Sequence, residues 1–215
     1  MSDIRVKYQT IEFDKIDIHM RVLRDNQQFN DENDVAKKLG ISSATWPLFG
    51  QIWPSGIVLA NLMESYKISN KRILEVGCGI GLASLLLNSR MADITSTDYH
   101  PSVEDFLEIN TKLNDDRDIP FIRTGWIDED DNLGKFDLII GSDLLYEQDH
   151  FTLLSNFINN HANKNCEVII IDPNRGLKNK FSRQMESFGF TCTQKIASSA
   201  DNILNYKGTI ITYAR

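Results

Sequence analysis

The segment Ile73–Ser84 carries the groups in this chain whose types and spacing best suit chemistry. A short apolar run, Ile73-Leu-Glu-Val76, breaks into alternating glycines at 77, 79 and 81 and then opens a helical pattern. Glycine has no Cβ, so such a turn bends sharply and lets the backbone approach a ligand closely. A nucleotide-like ligand is its natural occupant. Glu75 stands just before the turn, where it would repel a phosphate but could receive a cationic or hydroxyl-bearing group. A second strand-like run, Asp93–Asp98, ends in another carboxylate, suited to accept both hydrogen bonds of a ribose diol.

Spacing decides which nucleotide. The dinucleotide fingerprint is G-x-G-x-x-G, whereas this chain has Gly77-x-Gly79-x-Gly81 with Leu82 where the last glycine would stand. Dinucleotide folds also rest a pyrophosphate on the helix N-terminus, beside which Glu75 would be unfavourable. An adenosine with no phosphate tail and a positive amino-acid end fits the two carboxylates better than NAD does. A glycine triplet alone also suits a turn without a ligand; the carboxylates in register with it argue otherwise.

Further candidates stand where later strands end. Trp126, in Arg123-Thr-Gly-Trp-Ile-Asp128, either stacks on a base or plugs the core. Asp143 and Tyr146, three residues apart, face one cavity if their segment starts a helical turn; otherwise Asp143 caps that turn and Tyr146 packs. Asp172-Pro-Asn-Arg175 suits a plain turn. His100 precedes Pro101, which fits the first turn of a helix, so His100 reads as a cap neighbour rather than a base. The run Asp128-Glu-Asp-Asp131 reads as a solvated loop, or as an acidic patch steering a basic protein substrate.

The elements that must position these groups follow from periodicity. Residues 4 to 24 read as a hairpin, with Ile16, Ile18, Met20 and Val22 alternating behind the Asp14-Lys15 turn. Residues 25 to 45 form a polar linker with a short helix at 33 to 39. Pro54-Ser55 starts a helix carrying Val58, Leu59, Leu62, Met63 and Tyr66 at helical spacing. From residue 72, strands at 72–76, 93–98, 119–124, 136–142 and 167–172 alternate with helices at 81–89, 101–113, 148–160 and 178–188. Two final strands, near 190–197 and 208–214, have too short a link for a crossover and must be antiparallel neighbours. The expected fold is α/β, a Rossmann-like mostly parallel sheet with helices on both faces, extended by an N-terminal β-hairpin. Ligands in such sheets sit beyond the carboxyl ends of the strands, near the switch point.

At these residues the chain resembles the class I S-adenosylmethionine (SAM) methyltransferases, from about Trp46 to the C-terminus. The resemblance implies a seven-stranded sheet and divides the chain into a hairpin and linker, 1–45, and a methyltransferase domain, 46–215. It implies that the turn holding Glu75, Gly77, Cys78, Gly79 and Gly81 binds the methionine and ribose end of SAM, and that Asp98 binds the ribose hydroxyls. The acid-x-x-Tyr segment after the fourth strand, Trp53-Pro54 before the first and Trp126 after the third are similar to the protein lysine methyltransferase group. That group includes the enzymes modifying the electron-transfer flavoprotein and the valosin-containing ATPase. By this resemblance Trp53, Trp126 and Ser142 border the cofactor, and Asp143 and Tyr146 border the target amine as the catalytic pair. Asp172–Arg175 is similar to the Asp-Pro segment of the flavoprotein-modifying branch and would line the substrate entrance.

Composition narrows the setting. The 215 residues suit one domain with a substantial core and a small addition. A net charge of −7 disfavours nucleic acid as the acceptor, and no Asn-Pro-Pro-Tyr motif of amide or adenine methylation follows the fourth strand. Three scattered cysteines form no metal motif and suit a reducing compartment. No apolar run reaches membrane-spanning length and the N-terminus lacks a signal pattern, so the expected location is cytoplasmic and the expected partner a protein substrate. The alternatives are a small-molecule, histidine or RNA acceptor, or a non-catalytic SAM-fold interaction module.

Overall fold

The structure, a computed structural model, describes residues 4–128, 132–197 and 206–215. Glu129, Asp130 and Asp131 of the acidic run lie outside the described residues. Strands β1 (Val6–Glu12) and β2 (Asp17–Leu23) form an antiparallel hairpin closed at Glu12 and Asp17. Ile18, Met20 and Val22 alternate inward and are fully buried, as their period-2 spacing predicts. The outer edge of β2 is covered by side chains of helix α4 (Val103–Leu113) and its cap. Asn114 Oδ1 accepts the His19 N–H at 2.8 Å, and Asn110 Oδ1 accepts that of Arg21 at 2.7 Å. Strand edges covered in this way are protected from pairing with another chain.

The short helix α1 (Val35–Lys38) and a 3₁₀ turn (Trp46–Gly50) lead into helix α2 (Pro54–Ser65), which Pro54 opens at N1. Strand β3 (Arg72–Val76), helix α3 (Leu82–Ser89), strand β4 (Asp93–Asp98), α4 and strand β5 (Phe121–Arg123) make the first half of the sheet. Strand β6 (Phe136–Ser142), helix α5 (His150–His161), strand β7 (Ala162–Asp172), helix α6 (Lys178–Ser187) and strands β8 (Thr191–Ile196) and β9 (Thr209–Ala214) complete it. The seven strands run in the order β5-β4-β3-β6-β7-β9-β8. Strands β3 to β7 are parallel; β9 enters between β7 and β8, antiparallel to both. Strand β7 starts five residues before the expected position 167, across a register irregularity opposite Phe136–Leu138.

The sheet is buried on both faces because its central strands send successive side chains into two cores. Ile73, Leu138, Ile140 and Ile169 join the core with α2, α3, α4 and the hairpin. Leu74, Ile139, Val168 and Ile170 join the core with α5 and α6. Continuous aliphatic runs are the sequence signature of such strands, each buried side chain contributing about 2 kcal/mol. The order of connection reverses between β3 and β6, so a crevice opens beyond their carboxyl ends. Among the described residues no helix is long and apolar enough to cross a membrane.

Candidate active site

The turn after β3 is held open by three glycines in the left-handed region, Gly77, Gly79 and Gly81, at φ 61°, 54° and 75°. Gly79 lies against the 3₁₀ turn: a Cβ there would stand 2.9 Å from the Phe49 carbonyl oxygen. Gly81 departs from its expected role. It is absent from the cavity wall and caps α3 at φ 75°, where the left-handed backbone favours glycine and a Cβ would meet the movable tip of Leu107 at 2.5 Å. The Cys78 N–H donates to the Thr97 carbonyl at 3.0 Å, tying the turn to β4, and burial pushes the Cys78 thiol well up, leaving it unreactive.

Glu75 and Asp98 approach the turn from β3 and β4. Glu75 is 4% exposed and accepts the backbone N–H of Ser84 at 2.9 Å together with its hydroxyl. Burial pushes its carboxyl up to about 7, against the lowering effect of the Ser84 bonds. Asp98 Oδ2 accepts the Gly79 N–H and Oδ1 that of His100, both at 2.8 Å, while burial raises its carboxyl.

A cavity of about 550 Å³ opens here, lined by Glu75, Gly77, Cys78, Gly79 and Asp98 from the β3 and β4 strand ends and by Ser142, Asp143, Tyr146 and Arg175 from the segments at the ends of β6 and β7. Trp53 and Trp126 form part of its wall. The Trp53 indole donates to the Leu48 carbonyl at 3.0 Å. Trp126 also packs on the α5–α6 core and meets His150 edge-on at 5.0 Å. Its loop is closed by Asp128, whose Oδ2 accepts the Gly125 N–H at 2.6 Å.

Asp143 and Tyr146 share the cavity, but not through a helical turn. Asp143 is left-handed (φ 56°), its N–H donating to the Ile171 carbonyl at 2.9 Å, and the chain runs on without helix to α5. Aspartate tolerates this conformation better than most residues, and strained backbone of this kind clusters at functional sites. The Asp143 carboxylate is gripped by Arg175, Nε to Oδ1 at 2.7 Å and Nη2 to Oδ2 at 2.9 Å. Tyr146 packs edge-on to His150 at 4.5 Å, and desolvation, ahead of neighbouring carboxylates, pushes its phenol up to about 12.

Asp172-Pro-Asn-Arg175 is both a turn and part of the wall. Asp172 accepts the Asn174 N–H at 2.7 Å and lies outside the lining, whereas Arg175 is within it. His100 stacks on Phe49 at 4.0 Å and accepts the Ser102 N–H, and burial lowers it to about 4. It is a neutral structural side chain. Sequence reasoning passed over Phe49 and His150 as wall residues; the aromatic run Trp46–Phe49 was the one available signal for the first. Among the described residues no group of three His, Cys, Asp or Glu could hold a metal ion.

Comparison with known proteins gives three findings. Residues 36–188 match the family described as lysine methyltransferase. The chain is 33% identical over 124 residues to the histidine protein methyltransferase 1 homolog of Dictyostelium discoideum, covering 54% of this chain and 40% of that protein. It is 29% identical over 130 residues to protein N-lysine methyltransferase METTL21A of Danio rerio, covering 55% and 54%. The chain thus spans about half the length of the curated relatives it matches. A solved structure of a T. thermophilus 16S rRNA N2 G1207 methyltransferase, with AdoMet and guanosine, superposes with a TM-score of 0.67 at 13% identity, covering 98% of this chain and 51% of that one. A likeness at that identity is one of fold.

Proposed function

Because this chain belongs to the lysine methyltransferase family, we propose that it transfers a methyl group from S-adenosylmethionine to a lysine side chain of a protein. Residues 46–215 serve as the transfer domain and 1–45 as its extension. The observation that carries this reading is one cavity whose wall holds both a carboxylate-flanked glycine turn and Asp143 with Tyr146.

The residues fit the cofactor. Glu75, whose buried carboxyl is raised to about 7 chiefly by desolvation, would receive an amino-acid ammonium, and Asp98 would receive a ribose diol. Gly77 and Gly79 allow the left-handed turn that lines the cavity, and Trp53, Trp126 and Ser142 would border the adenosine and methionine. When bound, S-adenosylmethionine would supply a methyl on a sulfonium for displacement by the acceptor lone pair, the sulfur keeping the electron pair of the broken C–S bond. The chain itself contributes alignment and exclusion of water. Asp143 accepts a hydrogen bond from the amine, Tyr146 forms an aromatic wall that tolerates methylated ammonium, and the proton leaves to solvent.

Two measurements test the proposal. Isothermal titration with S-adenosylmethionine should show one site per chain; no binding would overturn the reading and favour an interaction module. Tritiated-methyl labelling of cell lysate should mark a protein band whose modified residue is lysine by mass spectrometry. The second reading, a histidine acceptor, is favoured by the Dictyostelium relative and would appear as label on imidazole. A cytoplasmic site of action is part of the proposal and is tested by fractionation.

A further inference from the structure

The bidentate contact between Asp143 and Arg175 bears directly on how the acceptor is held. The Asp143 side chain is 12% exposed and that of Arg175 47%, so the guanidinium covers the carboxylate from the solvent side. The Ile171 carbonyl fixes the Asp143 backbone from below. A carboxylate so held keeps lone-pair sites for a further donor, because two oxygens offer about four.

The charge matters as much as the geometry. A bare carboxylate beside an amine favours ammonium, which has no lone pair to attack with; an opposite charge within about 4–6 Å moves such a group by roughly 1–3 pH units. A guanidinium on the same carboxylate cancels that field without removing the acceptor oxygens.

We infer that Arg175 is a positioning residue for methyl transfer: it fixes the Asp143 carboxylate and neutralises it, so that Asp143 orients the acceptor amine without holding it as ammonium. This rests on the lysine-transfer reading above.

The groups facing Asp143 from neighbouring elements do not supply the same effect. At the end of β7, Asp172 adds negative charge and is engaged by the Asn174 N–H. Lys178 of α6 is engaged by Asn174 Oδ1 at 2.6 Å and Thr209 Oγ1 at 2.9 Å. Tyr146 and Tyr206 are both raised, chiefly by desolvation, and stay neutral; Glu147 and Asp98 act on Tyr146. His150, on α5, is bonded through Nδ1 to the Leu144 carbonyl and has Glu147 at 3.6 Å. These groups are common to wild type and position-175 variants, so their difference isolates the charge of Arg175.

The test uses the full chain, saturating S-adenosylmethionine, and the lysate protein that wild type labels, purified as acceptor. Single-turnover rates with enzyme in saturating excess are followed from pH 6 to 10. Arg175→Gln should move the acidic limb to higher pH by about one unit. Arg175→Lys, which keeps the charge and loses the fork, should lower the plateau and leave the limb in place. A non-catalytic readout is proton release on acceptor binding with S-adenosylhomocysteine present, by calorimetry in two buffers at pH 8.5. Wild type should release more protons than Arg175→Gln. An unmoved limb and equal proton release in Arg175→Gln would overturn the inference. If Arg175→Gln fails to fold, Arg175→Met takes its place: a limb moved upward supports the inference and an unmoved one overturns it, as does an upward shift in Arg175→Lys. A wild type that labels histidine, or nothing, instead removes the lysine reading and this inference with it, an outcome distinct from an active wild type with an unmoved variant.

Discussion

Ser84 donates twice to Glu75 Oε2, through its backbone N–H at 2.9 Å and through its hydroxyl, and receives the Ser96 hydroxyl at 2.6 Å. The first turn of α3 is thereby tied to a carboxylate of the cavity wall and, through Ser96, to β4. The same side chain fastens the glycine turn and faces the ligand.

Glu75 makes stability depend on pH in the ligand-free chain. Its folded value of about 7 lies above the unfolded value near 4.5, so the folded state holds the extra proton between them. The stabilisation is full below about 4.5 and is lost as pH rises through about 7, on the order of 3 kcal/mol in all. Thermal melts should fall between pH 5 and 8 without ligand, and Glu75→Gln should flatten that fall. The same variant should weaken S-adenosylmethionine binding at least ~10-fold, since a hydrogen bond to a charged partner contributes about 1.5–3 kcal/mol. A pH-independent melt in wild type would contradict the assignment.

Asp98 holds the turn as well as facing the ligand. Asp98→Ala leaves the Gly79 and His100 N–H groups without their acceptor, at a cost of about 1–3 kcal/mol each where buried. It should lower the melting temperature and abolish cofactor binding measured by calorimetry. Asp98→Asn keeps one acceptor oxygen and should lose less of both.

Alanine at Gly79 and at Gly81 should differ. Both positions are left-handed, at roughly 1–2 kcal/mol for a side chain. At Gly79 the added methyl meets the Phe49 backbone carbonyl, which cannot move without displacing the 3₁₀ turn; at Gly81 it meets the tip of Leu107, which can rotate. Gly79→Ala should therefore lose cofactor affinity by at least ~10-fold, and Gly81→Ala should lose stability with affinity largely kept. Equal loss of affinity in both would contradict the placement of Gly81 outside the cavity.

Asp143 and Tyr146 separate by kinetics. Asp143→Ala should lower single-turnover transfer by about 100-fold with cofactor affinity unchanged, as expected for a group acting on the acceptor. Tyr146→Ala should lower transfer by about 10-fold. Tyr146→Phe should lower it by only a few-fold and leave the pH profile unmoved, because a phenol raised to about 12 does not titrate in the working range. Full turnover in Asp143→Ala would remove its role.

The N-terminal hairpin and the order of strands and helices were legible because each rests on local periodicity. Ile18, Met20 and Val22 had to share a face, and Leu138–Ile140 had to be buried on both sides. Polar Asn163–Asn165 hid the start of β7, since pairing there depends on a neighbouring strand rather than on an apolar run. From spacing alone Asp143 and Tyr146 could share a cavity only if a helical turn began there; a left-handed Asp143, pinned by Ile171 of β7, brings them together instead.

By itself the sequence determined the α/β fold, the glycine turn and the two carboxylates flanking it, because strand ends and glycine spacing are properties of adjacent residues. Only the tertiary structure decided that Gly81 packs against Leu107 rather than lining the cavity, and that Phe49 and His150 form its walls. It alone joined Asp143 to Arg175, 32 residues apart in the chain. Charge pairing, burial and side-chain contact across the sheet depend on distances in space, and those are set by how β6 and β7 lie beside one another.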